Sequence, residues 1–161
     1  MTNQMAGKKP RSIWALAITQ LVLSLIAIPS GIVLVADPSG AAIGAQFILP
    51  LLHQFLPFIQ DFTIVGIFLL VVYGLLPIGL SYGIWTRKRL AWELTILLGV
   101  TEIIWILAEI SMFYSLGFIF FYPLIIGMGA LTIVLCLLPS TKIFFSKSAL
   151  LVGEKYLTID K

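Results

Sequence analysis

The stretch Ala41-Ala-Ile-Gly-Ala-Gln-Phe-Ile-Leu-Pro-Leu-Leu-His-Gln-Phe-Leu-Pro-Phe-Ile-Gln60 carries no Lys, Arg, Asp or Glu. By hydropathy alone it reads as a membrane crossing. Pro50 and Pro57 oppose that reading, because each removes a backbone donor and breaks a continuous helix. Its assignment settles how many times the chain crosses. Four other apolar runs, at about 12–36, 62–85, 90–112 and 117–138, are each long enough to cross, given that about 20 residues span the hydrocarbon. With four crossings, Lys8/Lys9/Arg11, Arg87/Lys88/Arg89 and Lys142/Lys147/Lys155/Lys161 all fall on one side. A fifth crossing would put Arg87–Arg89 opposite the leader. The positive-inside tendency favours four spans with both termini cytoplasmic. Residues 37–61 then form an outer cap, interfacial or re-entrant. A dipping segment must pack on the helices, because bare backbone cannot sit in lipid.

Composition agrees. The chain of 161 residues is 60% hydrophobic and 11% charged, with mean hydropathy +1.11, whereas soluble domains carry about 25% charged residues. The formal charge of +3 comes from clusters flanking apolar runs, a pattern of membrane orientation rather than of nucleic-acid binding. The expected fold is therefore an all-α, four-transmembrane-helix bundle. It comprises a cytoplasmic leader (1–11), a membrane domain (12–138) and a cytoplasmic tail (139–161). The first run is too long for a signal peptide's apolar region of about 7–15 residues, and reads as a retained span. The cell membrane is the expected location. Lipid, and beyond it other membrane subunits or a second copy, are the expected partners.

Local signals fill in this drawing. Asp37-Pro38-Ser39-Gly40 is a turn ending the first span, and Asp61 is placed to cap the second helix. Pro29-Ser30-Gly31 and Pro77 predict kinks. Gly66, Gly74, Gly79, Gly83, Gly127 and Gly129 could let helices approach closely. Tyr82, Trp85, Trp92, Tyr114 and Tyr122 lie near span ends, as interfacial aromatics do. The tail from Pro139 mixes apolar residues with lysines, which suits an amphipathic segment on the inner leaflet or a disordered end. Arg11–Ile18 echoes Arg89–Ile96 in Arg, Trp, Leu and Ile at equal spacing, as a duplicated helix pair would.

The third run holds Glu93, Glu102 and Glu109. Glu93 is one turn from Arg89 and can pair with it or reach the surface. Glu109 lies near the outer end, roughly 10–12 Å from mid-membrane at a rise of 1.5 Å per residue. Glu102 sits near the centre, where an ionised side chain costs roughly 2.5–3.5 kcal/mol. No Lys or Arg lies at that depth, so Glu102 is expected to be neutral at pH 7. A neutral carboxyl still needs hydrogen bonds. Gln20, Ser24 and Tyr73 are the candidate partners. Glu102 and Glu109 share a helix face, with Trp105 between them.

Catalytic signatures are missing: no Cys-x-x-Cys, no P-loop, no Gly-x-Ser-x-Gly and no His-Glu-x-x-His occurs. The single Cys136 reads as apolar filler. A lone His53 makes a metal site unexpected, and no cofactor or catalytic residue is assigned. Three functions stay open, two of them foremost. One is a non-catalytic accessory or interaction subunit, with Glu102 as polar glue between helices. The other is a small proton-coupled transporter or ligand-binding protein using Glu102, Trp105 and Glu109. A lipid- or sterol-modifying enzyme with acids facing a closed cavity is a third.

One resemblance extends over residues 30–139. Its pieces are Gly31, Asp37-Pro38-Ser39-Gly40-x-x-x-Gly44, Pro57-Phe58, Asp61-Phe62, Gly66, Tyr82-Gly83-Ile84-Trp85 with the basic cluster, Trp92, Gly99 and Trp105-x-x-x-Glu109. In this order they resemble an uncharacterised family of small prokaryotic four-span membrane proteins. The resemblance implies the topology above and no activity. Relatives carry Gln at the position of Glu109, which implies a neutral hydrogen-bonding role there. Their Pro-Phe to Asp-Phe spacing is often one residue shorter.

Overall fold

The computed structural model describes residues 9–113 and 122–146. Among them every regular element is helical. Helix α1 is Arg11–Ala36, α2 is Leu49–Phe55, α3 is Thr63–Trp85 and α4 is Arg89–Phe113. Helix α5 is Tyr122–Leu137, and α6 is Pro139–Ser146. Three of these, α1, α3 and the α4 stretch Arg89–Ser111, are long and apolar enough to cross a membrane. Helix α5 has 16 residues and bends by 55° into α6, so the pair makes a fourth candidate. Tyr114, the start of the fourth apolar run and the tail beyond Ser146 lie outside the described residues.

The four columns pack as a ring: α1 lies on α3 and α5, and α4 lies on α3 and α5. Helix α1 runs through Pro29 unbroken. In α3 the sequence's expected kink at Pro77 takes a particular form. Leu69–Leu75 is a π-helical segment ending just before Leu76 and Pro77. A widened turn absorbs the donor that proline lacks.

Glycine sets the closest crossings. A Cβ on Gly31 would stand 2.8 Å from Gly66 O and Leu70 N, and one on Gly99 would stand 3.0 Å from Gly129 O. Gly74 and Gly83 also face close neighbours, Ile28 and Ala91. Gly79 and Gly127, expected at contacts, meet nothing within 4 Å. Without such a neighbour they bring no helices together.

Ala41–Gln60 forms no continuous helix. It folds as 3-10 turns at Ala41–Ile43 and Gln46–Ile48, followed by α2. Pro50 sits in the first turn of α2, where a missing donor costs nothing. The segment covers one end of the ring, with Leu52 and Ile59 packed against Leu34 and Phe62. Asp37 ties its start by accepting from Ser39 Oγ at 2.6 Å and Ala42 N at 2.7 Å. Asp61 accepts from Thr63 N at 2.8 Å. It serves the first turn of α3 from one position ahead of the N-cap, Phe62.

Helix α6 closes the opposite end. Thr141 Oγ1 donates to Ser12 Oγ at 2.9 Å, and Ser12 Oγ lies 3.0 Å from Ser140 Oγ. Phe144 and Phe145 are buried in the main core. The first part of the tail, Pro139–Ser146, thus packs onto the ring.

Candidate functional site

The polar groups inside the ring come from four columns. Gln20 of α1 is fully buried and donates through Nε2 to Thr132 Oγ1 of α5 at 3.2 Å. One turn before Thr132, Gly129 faces Gly99 of α4. The Glu102 carboxyl occupies the room this glycine leaves: a Cβ at position 129 would stand 3.4 Å from Glu102 Oε2. Glu102 is 2% exposed. Tyr73, carried on the π-helical segment of α3, is buried beside Thr101, Glu102 and Glu109.

Among the described residues, three buried polar atoms in this region make no hydrogen bond of good geometry: Gln20 Oε1, Tyr73 Oη, which has the Thr101 side chain beside it, and Glu102 Oε1. Natural interiors seldom leave such groups unpaired, and each case calls for an explanation. All three belong to residues named from sequence. The remaining candidate partner of Glu102, Ser24, spends its hydroxyl proton within its own helix, on Gln20 O at 3.1 Å. That i to i−4 bond is the usual way a serine is satisfied in an apolar helix.

Glu109 and Trp105 form a unit of their own. Trp105 Nε1 donates to Glu109 Oε1 at 2.6 Å, and its ring stacks on Phe68 at 4.9 Å. Tyr73 meets the same indole edge-on at 6.5 Å. The expected stripe is thus split: Trp105 serves Glu109, while Glu102 turns toward α5. Glu93 pairs with Arg89 at 2.9 Å. His53 bonds Gln60 O in the cap at 2.9 Å, and Cys136 is fully buried among apolar groups. Among the described residues no group of three His, Cys, Asp or Glu could hold a metal ion.

Sequence reading missed Thr132, the residue that joins Gln20 to α5. Threonine one turn from a helix-crossing glycine was the available signal. It also missed the contact of Trp92 Nε1 with Cys136 O at 3.0 Å, which ties α4 to α5. No known family model, curated protein or solved structure matches this chain.

Proposed function

We propose that the chain is a multi-pass protein of the cell membrane with four crossings and both termini cytoplasmic. It acts as a non-catalytic accessory or interaction subunit. The observation that carries this reading is that the three acids of α4 are enclosed or held by the chain's own helices. Glu102 is sealed between α4 and α5, Glu109 is held by Trp105, and Glu93 is held by Arg89. Among the described residues, none of these three acids is aimed at the open groove between helices. The placement of all six described cations (Lys9, Arg11, Arg87, Lys88, Arg89 and Lys142) at the α6 end supports the topology. A reporter fused beside Arg87–Arg89 is expected on the cytoplasmic side; an external reporter overturns the arrangement. Purification in mild detergent is expected to yield a stoichiometric partner. A clean monomer with its own activity removes the accessory role.

A second reading has its own support in the orphan atoms Gln20 Oε1, Tyr73 Oη and Glu102 Oε1. A proton, a water or a small polar ligand would satisfy them, as in a proton-coupled transporter or ligand-binding protein using Glu102, Trp105 and Glu109. Flux into liposomes that disappears in Glu102→Gln would favour it. Flux unchanged by that substitution would end it.

A further inference from the structure

Outside the ring, between α1 and α3, lies an open groove of about 410 Å³ lined by Trp14, Ile18, Leu21, Ile78, Tyr82 and Trp85 among others. It runs from Trp14 to Leu21, about 10 Å at a helical rise of 1.5 Å per residue. Its walls are mostly apolar; of the two hydroxyl-bearing residues there, Ser81 and Tyr82, Ser81 Oγ donates to Ala17 O at 3.0 Å. Trp14 and Trp85 meet edge-to-face at 4.5 Å at its mouth.

One cation stands over that mouth, and a second lies at the same end of α3. Lys9 Nζ lies 3.2 Å from the centroid of the Trp85 ring. Arg87 Cζ lies 4.4 Å from the centroid of Phe144. Neither has a carboxylate partner among the described residues, where the ion pair at this end is Arg89 with Glu93. Desolvation and then the neighbouring Arg87 charge lower the Lys9 pKa from its ordinary value. Two like charges that repel each other favour an anion beside them.

The backbone adds a separate observation. Arg87 has φ 60°, the left-handed conformation that glycine adopts without strain. Arg87 N bonds Ile84 O and Lys88 N bonds Gly83 O, at 3.1 and 2.8 Å, a Schellman ending to α3 in which glycine is the usual residue. Strain kept at such a position points to a use for the side chain.

We propose that this groove and its two cations bind one anionic phospholipid, an acyl chain along Ile18, Leu21 and Ile78 and the phosphate between Lys9 and Arg87. The site rests on the membrane reading above, since only a chain in a bilayer meets lipid there. The tryptophans at the mouth sit where interfacial rings sit, and the paired cations select the headgroup.

The test uses the full chain reconstituted in phosphatidylcholine vesicles. Tryptophan emission is read as a minor fraction of lipid is replaced by brominated phosphatidylglycerol or brominated phosphatidylcholine. Bromine quenches on contact, and Trp14 and Trp85 line the groove. Phosphatidylglycerol is expected to quench in excess over phosphatidylcholine. Its apparent affinity should fall about fivefold for each cation removed in Lys9→Gln and Arg87→Gly. Both variants should fold, because Lys9 precedes α1 and glycine suits φ 60°. Equal quenching by the two lipids overturns the site, as does an excess that survives in the double variant. An excess that vanishes as protein crowds the vesicle, because a second copy fills the groove, overturns it too. Quenching by neither lipid instead sinks the membrane reading itself.

Discussion

Replacing Gly31 by alanine tests the tightest helix crossing. The added methyl would stand 2.8 Å from Gly66 O, 2.8 Å from Leu70 N and 2.9 Å from Leu70 Cβ. Ordinary van der Waals contact begins near 3.4 Å. Two of the three obstacles are backbone atoms of α3, which cannot rotate away. Helices α1 and α3 must therefore part by several tenths of an ångström, loosening the contacts on either side. Overpacking of this kind costs about 1–3 kcal/mol. Alanine recovers up to about 1 kcal/mol of that through its better helix propensity. The net expectation is a loss of up to about 2 kcal/mol against the parent, and of about 1–3 kcal/mol against a glycine-to-alanine control that shares the propensity gain. Gly79→Ala is the matched control, since nothing lies within 4 Å of its Cβ; it carries the propensity gain without the clash. Unfolding by SDS in mixed micelles, followed by far-UV circular dichroism, measures both. If Gly31→Ala proves as stable as Gly79→Ala, α1 and α3 do not cross at Gly31 and Gly66, and the packing argument fails.

Thr132→Val keeps the shape of the side chain but strands Gln20 Nε2 in the core; a loss of about 1–3 kcal/mol is expected in the same unfolding assay. Glu102→Gln preserves a neutral group of the same shape, so unfolding within about 1 kcal/mol of the parent is expected, and a collapse of the fold would show that the carboxylate form is needed. At position 87, glycine should be more stable than alanine by about 1 kcal/mol, because alanine keeps the left-handed strain and both lose the ring contact; equal stabilities would remove the strain argument. The Asp37 carboxyl is held below its ordinary value of 3.8 by the Ser39 hydroxyl first and the Ala42 N–H next. A depressed carboxyl contributes stability above its unfolded pKa and loses it as pH falls through the folded one. Thermal stability should therefore drop below about pH 4, and less so in Asp37→Asn. A parallel fall in both proteins would place the acid sensitivity elsewhere.

Much of the backbone was legible in the residues. Asp37-Pro38-Ser39-Gly40 marks the end of α1, and Pro50 with Pro57 keeps Ala41–Gln60 from becoming one long helix. Arg87-Lys88-Arg89 marks the turn between α3 and α4. Each of these acts locally, through a missing donor, a turn-forming side chain or a charge that stays in water. The candidate site was legible in part. Gln20, Tyr73 and Glu102 stand out as polar residues in apolar runs, and all three are buried. Their pairing was not legible: Gln20 meets Thr132, Ser24 meets its own helix, and Trp105 meets Glu109.

What the amino-acid order determined alone was therefore where α1, α3 and α4 form and stop. Only tertiary packing decided which faces turn inward. These helices are apolar on nearly every side, so they carry no polar stripe to announce an orientation. Helix rotation then depends on where two backbones can come close. Gly31 meets Gly66 and Gly99 meets Gly129, while Gly79 and Gly127 stay open. The same rotation put Glu102 against Gly129 and left Trp14 and Trp85 on the outside beneath Lys9.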